Sequence, residues 1–333
     1  MKFLKISIQI AVLACLSVFF GACAKEDRNL MLAKEAREQA PWTIPDEIFE
    51  NYIVPATSVG EAEDNWRPLF REKFLPLVRD CKTSTAAAET LNRKMWDMLG
   101  VHYSPQRDKP DQSPFHSMRI GKASCTGLSI LLINACRAVG VPARFVGCRW
   151  KNKPGNHSWV EIWEGGEWFH LGAGDCERVN DAWFNADAAQ ADPDDPRFAI
   201  YAACAYPTGM TFPVAWRESG KSDIPALNVT SRYLKLAQPV PEGCSRVSFN
   251  LRSREGVRIA REIVLVDGES GLEVARGVTH DNRFDLNDHL NFIFPQESRL
   301  RVVPASAPEL IIADVSVPAE EKVFDLVFPE SSR

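Results

Sequence analysis

Along the first hundred residues the apolar positions recur at helical spacing. Leu30 to Gln39 forms a charged, amphipathic segment ended by Pro41, and Asp64-Asn-Trp66-Arg-Pro68 opens a second segment running through Val78. Ser84-Thr85 is placed to cap a helix from Ala86 to Leu99. Ser124 is placed to cap another, with Leu128, Leu131, Leu132, Ala135, Cys136 and Val139 as its buried stripe and Gly140-Val-Pro142 as its stop. The period then falls to two. Ala143–Trp150, Ser158–Glu164 and Glu167–Leu171 read as strands, the last two joined by a tight hairpin at Gly165-Gly166. Tyr103–Met118, with three prolines and many polar residues, reads as a loop lying against these elements.

Residues 176–227 are rich in Pro, Asp and Ala and read as short helical or irregular pieces. From Val229 the texture changes again. Val247–Leu251, Ile259–Val266, Leu272–Val278, Leu290–Phe294, Leu300–Val303, Leu310–Val317 and Val323–Phe328 are short β-type runs separated by polar turns. That spacing predicts an antiparallel β-sandwich. It contains no cluster of chemistry-bearing residues; His280 and His289 stand near acids and read as surface residues. The class is α+β. The expected divisions are a leader over 1–22, a helical region over 23–83, a central core over 84–228 and a sandwich over 229–333.

The N-terminus reads as an address. Lys2 and Lys5 precede the mostly apolar stretch Ile6–Phe20, too short to span a bilayer comfortably, and Gly21-Ala22-Cys23 follows. Small residues before a cysteine resemble a bacterial lipoprotein processing site, which implies lipidation of Cys23; an ordinary secretory signal is the plainer alternative. Ala24-Lys25-Glu26-Asp27 resembles a surface-exposure signal of such lipoproteins. An exported protein anchored in the bacterial envelope by lipid alone, at the outer membrane or cell surface, is the expectation. Losing residues 1–22 removes two lysines, so the net charge falls from −5 to −7, and nothing suggests nucleic-acid binding. Seven cysteines then remain besides Cys23, an odd number without metal-ligand spacing, so at least one thiol is unpaired.

Three central segments carry the candidate chemistry: Gly121-Lys-Ala-Ser-Cys125-Thr-Gly, Asn156-His157-Ser-Trp-Val-Glu161 and Gly172-Ala-Gly-Asp175. They bring a thiol, an imidazole and a carboxylate in that order, 32 and 18 residues apart. A helix N-terminus favours a thiolate and offers N–H groups to an oxyanion, while imidazole is the usual base for a cysteine. Period two puts His157, Trp159 and Glu161 on one strand face. If Gly165-Gly166 is a two-residue loop, His157 opposes Gly174 and Asp175 points to the wrong face, unless the glycines permit a bulge. Asp175 is the chosen orienter, with Asp181 and Asn156 in reserve. Taken singly, each residue has a structural reading: a buried cysteine, or a strand-end histidine bonded to a carbonyl. Arg137 and Arg144 read as clamps on the helix end and the next strand. Trp150, Trp159, Trp163, Trp168 and Trp183 read as packing across a small sheet, ahead of a stacking platform for sugars or peptide.

Residues 84–185 resemble the bacterial transglutaminase-like family of papain-like thiol enzymes. The resemblance rests on Ser124-Cys125-Thr126-Gly127, Ala135-Cys-Arg-Ala-Val-Gly-Val-Pro-Ala-Arg144, Asn156-His157-Ser-Trp-Val-Glu161, Trp168-Phe-His-Leu-Gly-Ala173 and Asp181-Ala-Trp-Phe184. It implies nucleophile Cys125 and base His157. The family's commonest form has aspartate where this chain has Gly172; members reading Gly-Ala-x-acid match Asp175 instead. The Trp66-Arg67-Pro68 leader is similar to that of the same subgroup.

The expected function is an acyl-enzyme reaction on peptide or glutaminyl amides, hydrolysis ahead of cross-linking, with no cofactor or metal required. Peptide or protein is the substrate class, cell-wall peptide or glycan included. A worn-down enzyme that binds peptide or glycan is the alternative. A third reading makes the chain purely structural, with the sandwich as a docking module for an envelope assembly; if the central domain is autonomous, it should keep its thiol reactivity when residues 230–333 are deleted.

Overall fold

The computed structural model describes residues 28–175, 178–214, 222–237 and 239–329. The expected leader and Cys23 lie outside the described residues. No helix among those described is long and apolar enough to cross a membrane.

Four helices lead the chain: α1 (residues 28–39), α2 (Asp46–Tyr52), α3 (Arg67–Val78) and α4 (Ser84–Leu99). Thr83, not Ser84, caps α4, its hydroxyl accepting the Ala86 N–H at 3.1 Å. A two-stranded parallel pair, β1 (His102–Tyr103) and β2 (Lys122–Ala123), flanks α5 (Pro114–Ile120) and feeds α6 (Cys125–Ala138). α5 begins inside the expected loop and runs past its end at Met118; Pro114 at its first turn starts it without needing an N–H partner. α6 is buried on all sides beyond its tip, packed between α3, α4 and the sheet.

That sheet has the order β5-β4-β3-β6-β7 and is antiparallel throughout. Its strands are β3 (Ala143–Arg149), β4 (Asn156–Glu164), β5 (Glu167–Leu171), β6 (Tyr201–Ala203) and β7 (Ala226–Asn228). Glu164 opposes Glu167, as a two-residue loop requires, and Gly165 and Gly166 both hold positive φ. β6 and β7 fall in the stretch read as irregular, because three residues are too short for a period to show. Two small helices, α7 (Asn185–Ala188) and α8 (Thr230–Tyr233), pack beside the sheet. Arg67 and Arg137 tie the helices to it. Arg67 donates to the Arg137 carbonyl at 3.0 Å and the Ile53 carbonyl at 2.7 Å, and Arg137 to the carbonyls of Tyr52, Pro55, Thr57 and Ala143.

Seven strands form the C-terminal unit: β8 (Cys244–Arg252), β9 (Glu262–Asp267), β10 (Glu273–Val278), β11 (Leu290–Pro295), β12 (Arg299–Pro304), β13 (Ala313–Ser316) and β14 (Lys322–Val327). They make two sheets, β10-β9-β12-β13 and β11-β8-β14, around a core that includes Val247, Phe249, Leu265 and Val302. The sandwich differs from a purely antiparallel one in a single pairing. β14 runs parallel to β8, which the chain reaches by returning from β13 in the opposite sheet.

Candidate active site

Cys125 is the first residue of α6, behind Ser124 in extended conformation. Its N–H falls in the first helical turn, where no intrahelical carbonyl exists to accept it. The thiol is partly exposed, at the one end of α6 that reaches a cleft. Gly127 sits against the segment that leads into the helix. A Cβ there would meet Ala123 Cβ at 3.0 Å, so this glycine lets the segment before the helix pack closely.

His157 is the second residue of β4, opposite Cys148 of β3, and is 2% exposed. Aromatic rings enclose it: Trp150 stacks at 5.9 Å and Trp159 at 5.8 Å, while Trp183 and Phe184 lie at 4.8 Å. The face shared by His157, Trp159 and Glu161 continues as a polar column. Trp159 Nε1 donates to the Tyr233 hydroxyl at 2.7 Å, which donates to Glu161 Oε1 at 2.9 Å. Glu161 also pairs with Arg144 at 2.6 Å, and that guanidinium lies 3.8 Å over the Trp168 ring. Trp150 and Trp159 thus pack on the imidazole, and Arg144 clamps Glu161 beneath Trp168.

The carboxylate beside His157 is Asp285, from the sandwich. Asp285 Oδ2 is 3.5 Å from His157 Nδ1, and Cys125 Sγ, a ring nitrogen of His157 and a carboxylate oxygen of Asp285 all lie within 4.8 Å of one another. Asp175 is elsewhere. Pairing of β5 with β4 ends at Leu171–Val160, so the register never extends as far as His157. Asn92 takes the chain away instead, donating to the Gly172 carbonyl at 2.8 Å and accepting the Gly174 N–H at 2.9 Å. Asp175 is left exposed, accepting Trp183 Nε1 at 2.8 Å, and so touches the ring that packs on the imidazole without touching the imidazole. Of the reserves, Asp181 is exposed and Asn156 offers its carbonyl to Asn287 at 3.1 Å.

Asp285 sits in the loop between β10 and β11, and this loop is clamped from both sides. Within the sandwich, the buried Arg258 donates to the carbonyls of Asp285 at 2.9 Å and Asp288 at 2.7 Å. Asn287 donates its N–H (2.9 Å) and its side-chain amide (2.8 Å) to Asp285 Oδ1. On the core side, the Tyr103 hydroxyl accepts the Leu286 N–H at 3.0 Å, and Lys153 Nζ donates to the Asn287 carbonyl at 3.1 Å. Gly155, at φ 107°, faces Asn287 so closely that a Cβ would lie 2.6 Å from its Oδ1. Nor are the two sandwich histidines simple surface groups. His280 Nδ1 is 3.1 Å from Asp288 Oδ2 and stacks on Phe284, while His289 is half-buried beside Asp288.

Burial alone would push the His157 imidazole down. The Asp285 carboxylate and the Cys125 sulfur outweigh it and hold the group up at about 10. Burial would likewise raise the Asp285 carboxyl, but His157 and the Asn287 donors bring it down to about 2. A thiol, an imidazole and a carboxylate this close form a donor set that a divalent metal could also use. The same three groups are of the types that a cysteine nucleophile, its base and an orienting acid require.

Residues 75–173 match the model of the transglutaminase-like superfamily. The chain carries a transglutaminase-like core. No curated protein matches the chain. Among solved structures it is similar to a candidate cysteine protease from Cytophaga hutchinsonii, at 17% identity over 48% of this chain and 57% of that one, TM-score 0.29. It is also similar to red sea bream transglutaminase, at 9% identity over 84% and 64%, TM-score 0.35, and to the Bacillus anthracis TIE protein, at 11% over 56% and 30%, TM-score 0.20. The chain thus spans less than two thirds of each.

In this transglutaminase-like core Cys125 stands between two cavities. One, of about 330 Å³, is walled by Trp96, Tyr103, Asp175, Phe284 and Asp285. The other, of about 280 Å³, is walled by Tyr103, Arg107, Asn156, Asp285 and Asn287. Open space therefore extends from the sulfur in two directions, with the sandwich loop forming part of each wall.

Asp285 escaped the sequence reading because nothing local marks it. Asp281-Asn-Arg-Phe-Asp-Leu-Asn-Asp288 has the composition of a solvated turn. The one available signal was the pair of large apolar residues, Phe284 and Leu286, flanking an acid in such a turn.

Proposed function

We propose that this protein is an exported thiol amidase or peptidase in which Cys125 is the nucleophile, His157 the acid–base and Asp285 the orienter. The observation that carries the reading is the meeting of these three groups within 4.8 Å at the tip of α6. The Cys125 thiolate attacks the amide carbonyl carbon, and the Cys125 N–H faces the resulting oxyanion. His157, held as imidazolium by Asp285, gives its proton to the leaving amine as the C–N bond breaks, leaving a thioester. Water then attacks the thioester, His157 takes the proton, and the acid departs as the thiolate is restored. An amine in place of water would cross-link. Hydrolysis is assigned because water needs no second substrate site. Peptide or protein is the substrate class, cell-wall peptide included.

The leader pattern and Cys23 support export and a lipid anchor in a bacterial envelope. Radiolabelled palmitate should enter the wild type and not Cys23→Ala.

The enzymatic test is alkylation of Cys125 by iodoacetamide near pH 6, read by peptide mapping. Labelling well above the rate of a free thiol, lost in His157→Ala, is expected. Labelling no faster than free thiol would assign the cleft to peptide or glycan binding. Screening against peptide libraries beside Cys125→Ala should give turnover by the wild type alone.

A further inference from the structure

Arg107 is a cation beside Cys125 that makes no ion pair among the described residues. It walls the smaller cavity together with Cys125, Tyr103 and Asn156. Its Nη1 donates to the Pro105 carbonyl of its own loop at 3.0 Å, and its Nε is shielded from solvent and has no hydrogen-bond partner among the described residues. The neighbouring acids are occupied elsewhere. Asp108 bonds His116 Nε2 at 2.7 Å, and Asp111 pairs with Lys109 at 3.5 Å. Asp285, the one acid on the cavity wall, is held by His157 and Asn287.

The loop is also built to stay where it is. Ser104 N–H donates to the Ala123 carbonyl at 2.8 Å, and its hydroxyl accepts the Gln106 N–H at 3.1 Å. At the far end the fully buried Gln112 side chain donates to the Lys122 carbonyl at 2.8 Å and to Ser117 Oγ at 3.2 Å. Pro105 and Pro110 restrict the backbone between these anchors. A guanidinium held in a fixed place, short of acceptors and next to the nucleophile, is suited to a planar anion.

We propose that Arg107 selects substrates bearing a carboxylate close to the scissile amide, either a peptide C-terminus or an acidic side chain. This rests on Cys125 being the nucleophile and names the substrate class for that reaction. The larger cavity carries both signs on its wall, Arg93 and Arg283 beside Asp175 and Asp285, and its Arg283 is paired with Asp281 at 2.9 Å.

The test needs no known substrate. Cys125 is alkylated in the intact protein by two matched pairs of reagents, iodoacetate against iodoacetamide and bromoacetyl-glycine against bromoacetyl-glycinamide. Rates are read at Cys125 by peptide mapping, and each variant's neutral-reagent rate serves as its own reference. The acid-to-amide rate ratio should fall about five- to tenfold in Arg107→Ala, stay near wild type in Arg107→Lys, and shrink in wild type as salt is raised. Lys109→Ala makes the same charge change on the same loop outside the cavity wall, and should leave the ratio in place. An unchanged ratio in Arg107→Ala, or an equal fall in Lys109→Ala, overturns the proposal. A wild-type thiol no faster than glutathione toward the neutral reagents would sink the enzymatic reading instead, while the ratio still reports on Arg107.

Discussion

Two turns reach the cleft with an aspartate, and they treat it in opposite ways. The turn after β5 carries Asp175 in solvent, bonded to Trp183. The turn before β11 carries Asp285 in a dry site, with Arg258, Asn287 and Tyr103 fixing its backbone or its oxygens. A carboxylate can stay charged without water only when donors and an opposite charge replace the hydration shell. Asp285 has both and Asp175 has neither the burial nor the imidazole. What separates the two acids is therefore their scaffold, and that of Asp285 belongs to the sandwich.

The comparison breaks most sharply at the two carboxylates. Asp285→Asn should lower kcat/KM on any amide found to turn over by about 10²- to 10⁴-fold, whereas Asp175→Asn should stay within about threefold. If the larger loss falls on Asp175, the assignment is reversed. Arg258→Met should come next. It strips the Asp285 and Asp288 carbonyls of their buried donor, and a loss of about 2–4 kcal/mol is expected in denaturant unfolding, together with slowed labelling of Cys125.

Gly155→Ala probes the opposite side of the same seam. A methyl group 2.6 Å from Asn287 Oδ1, at a φ unfavourable for alanine, should push the loop away and slow Cys125 labelling about tenfold. Crystallography of that variant should show Asp285 drawn back from His157.

pH sharpens the contrast with a smaller effect. His157 is raised from 6.5 to about 10, so its stabilising contribution is full below 6.5 and is lost as pH climbs through 10. Asp285 is lowered from 3.8 to about 2, so its contribution is full above 3.8 and is lost as pH falls through 2. Melting temperature should therefore peak between about pH 4 and 6.5 and decline toward pH 10. The decline should flatten in Asp285→Asn and persist in Asp175→Asn. The smallest effect is expected from Tyr103→Phe, which removes one acceptor from the Leu286 N–H and should cost about 1 kcal/mol.

What was readable in the chain followed the range of the interaction. The tip of α6 and the histidine strand are written in consecutive residues, where a period of 3.6 turns to 2, and the Arg137 bond to the Ala143 carbonyl stays just as local, although the same guanidinium also reaches back to Tyr52, Pro55 and Thr57. The seven sandwich strands were legible for the same reason. Beyond that range the text is silent. Whether β5 continues past Leu171 is decided by Asn92, 80 residues upstream, and the carboxylate on His157 arrives from a turn that looks solvated. An autonomous core is the expectation that this carboxylate puts to the test. With residues 230–333 removed, His157 loses its acid and rapid labelling of Cys125 should go with it.

An aspartate so far along the chain also sets a schedule. During synthesis the sulfur and the imidazole are complete well over a hundred residues before Asp285 is added. A nascent or truncated copy therefore holds an unfinished centre, and the proposed trio is incomplete until the sandwich loop has been made and docked.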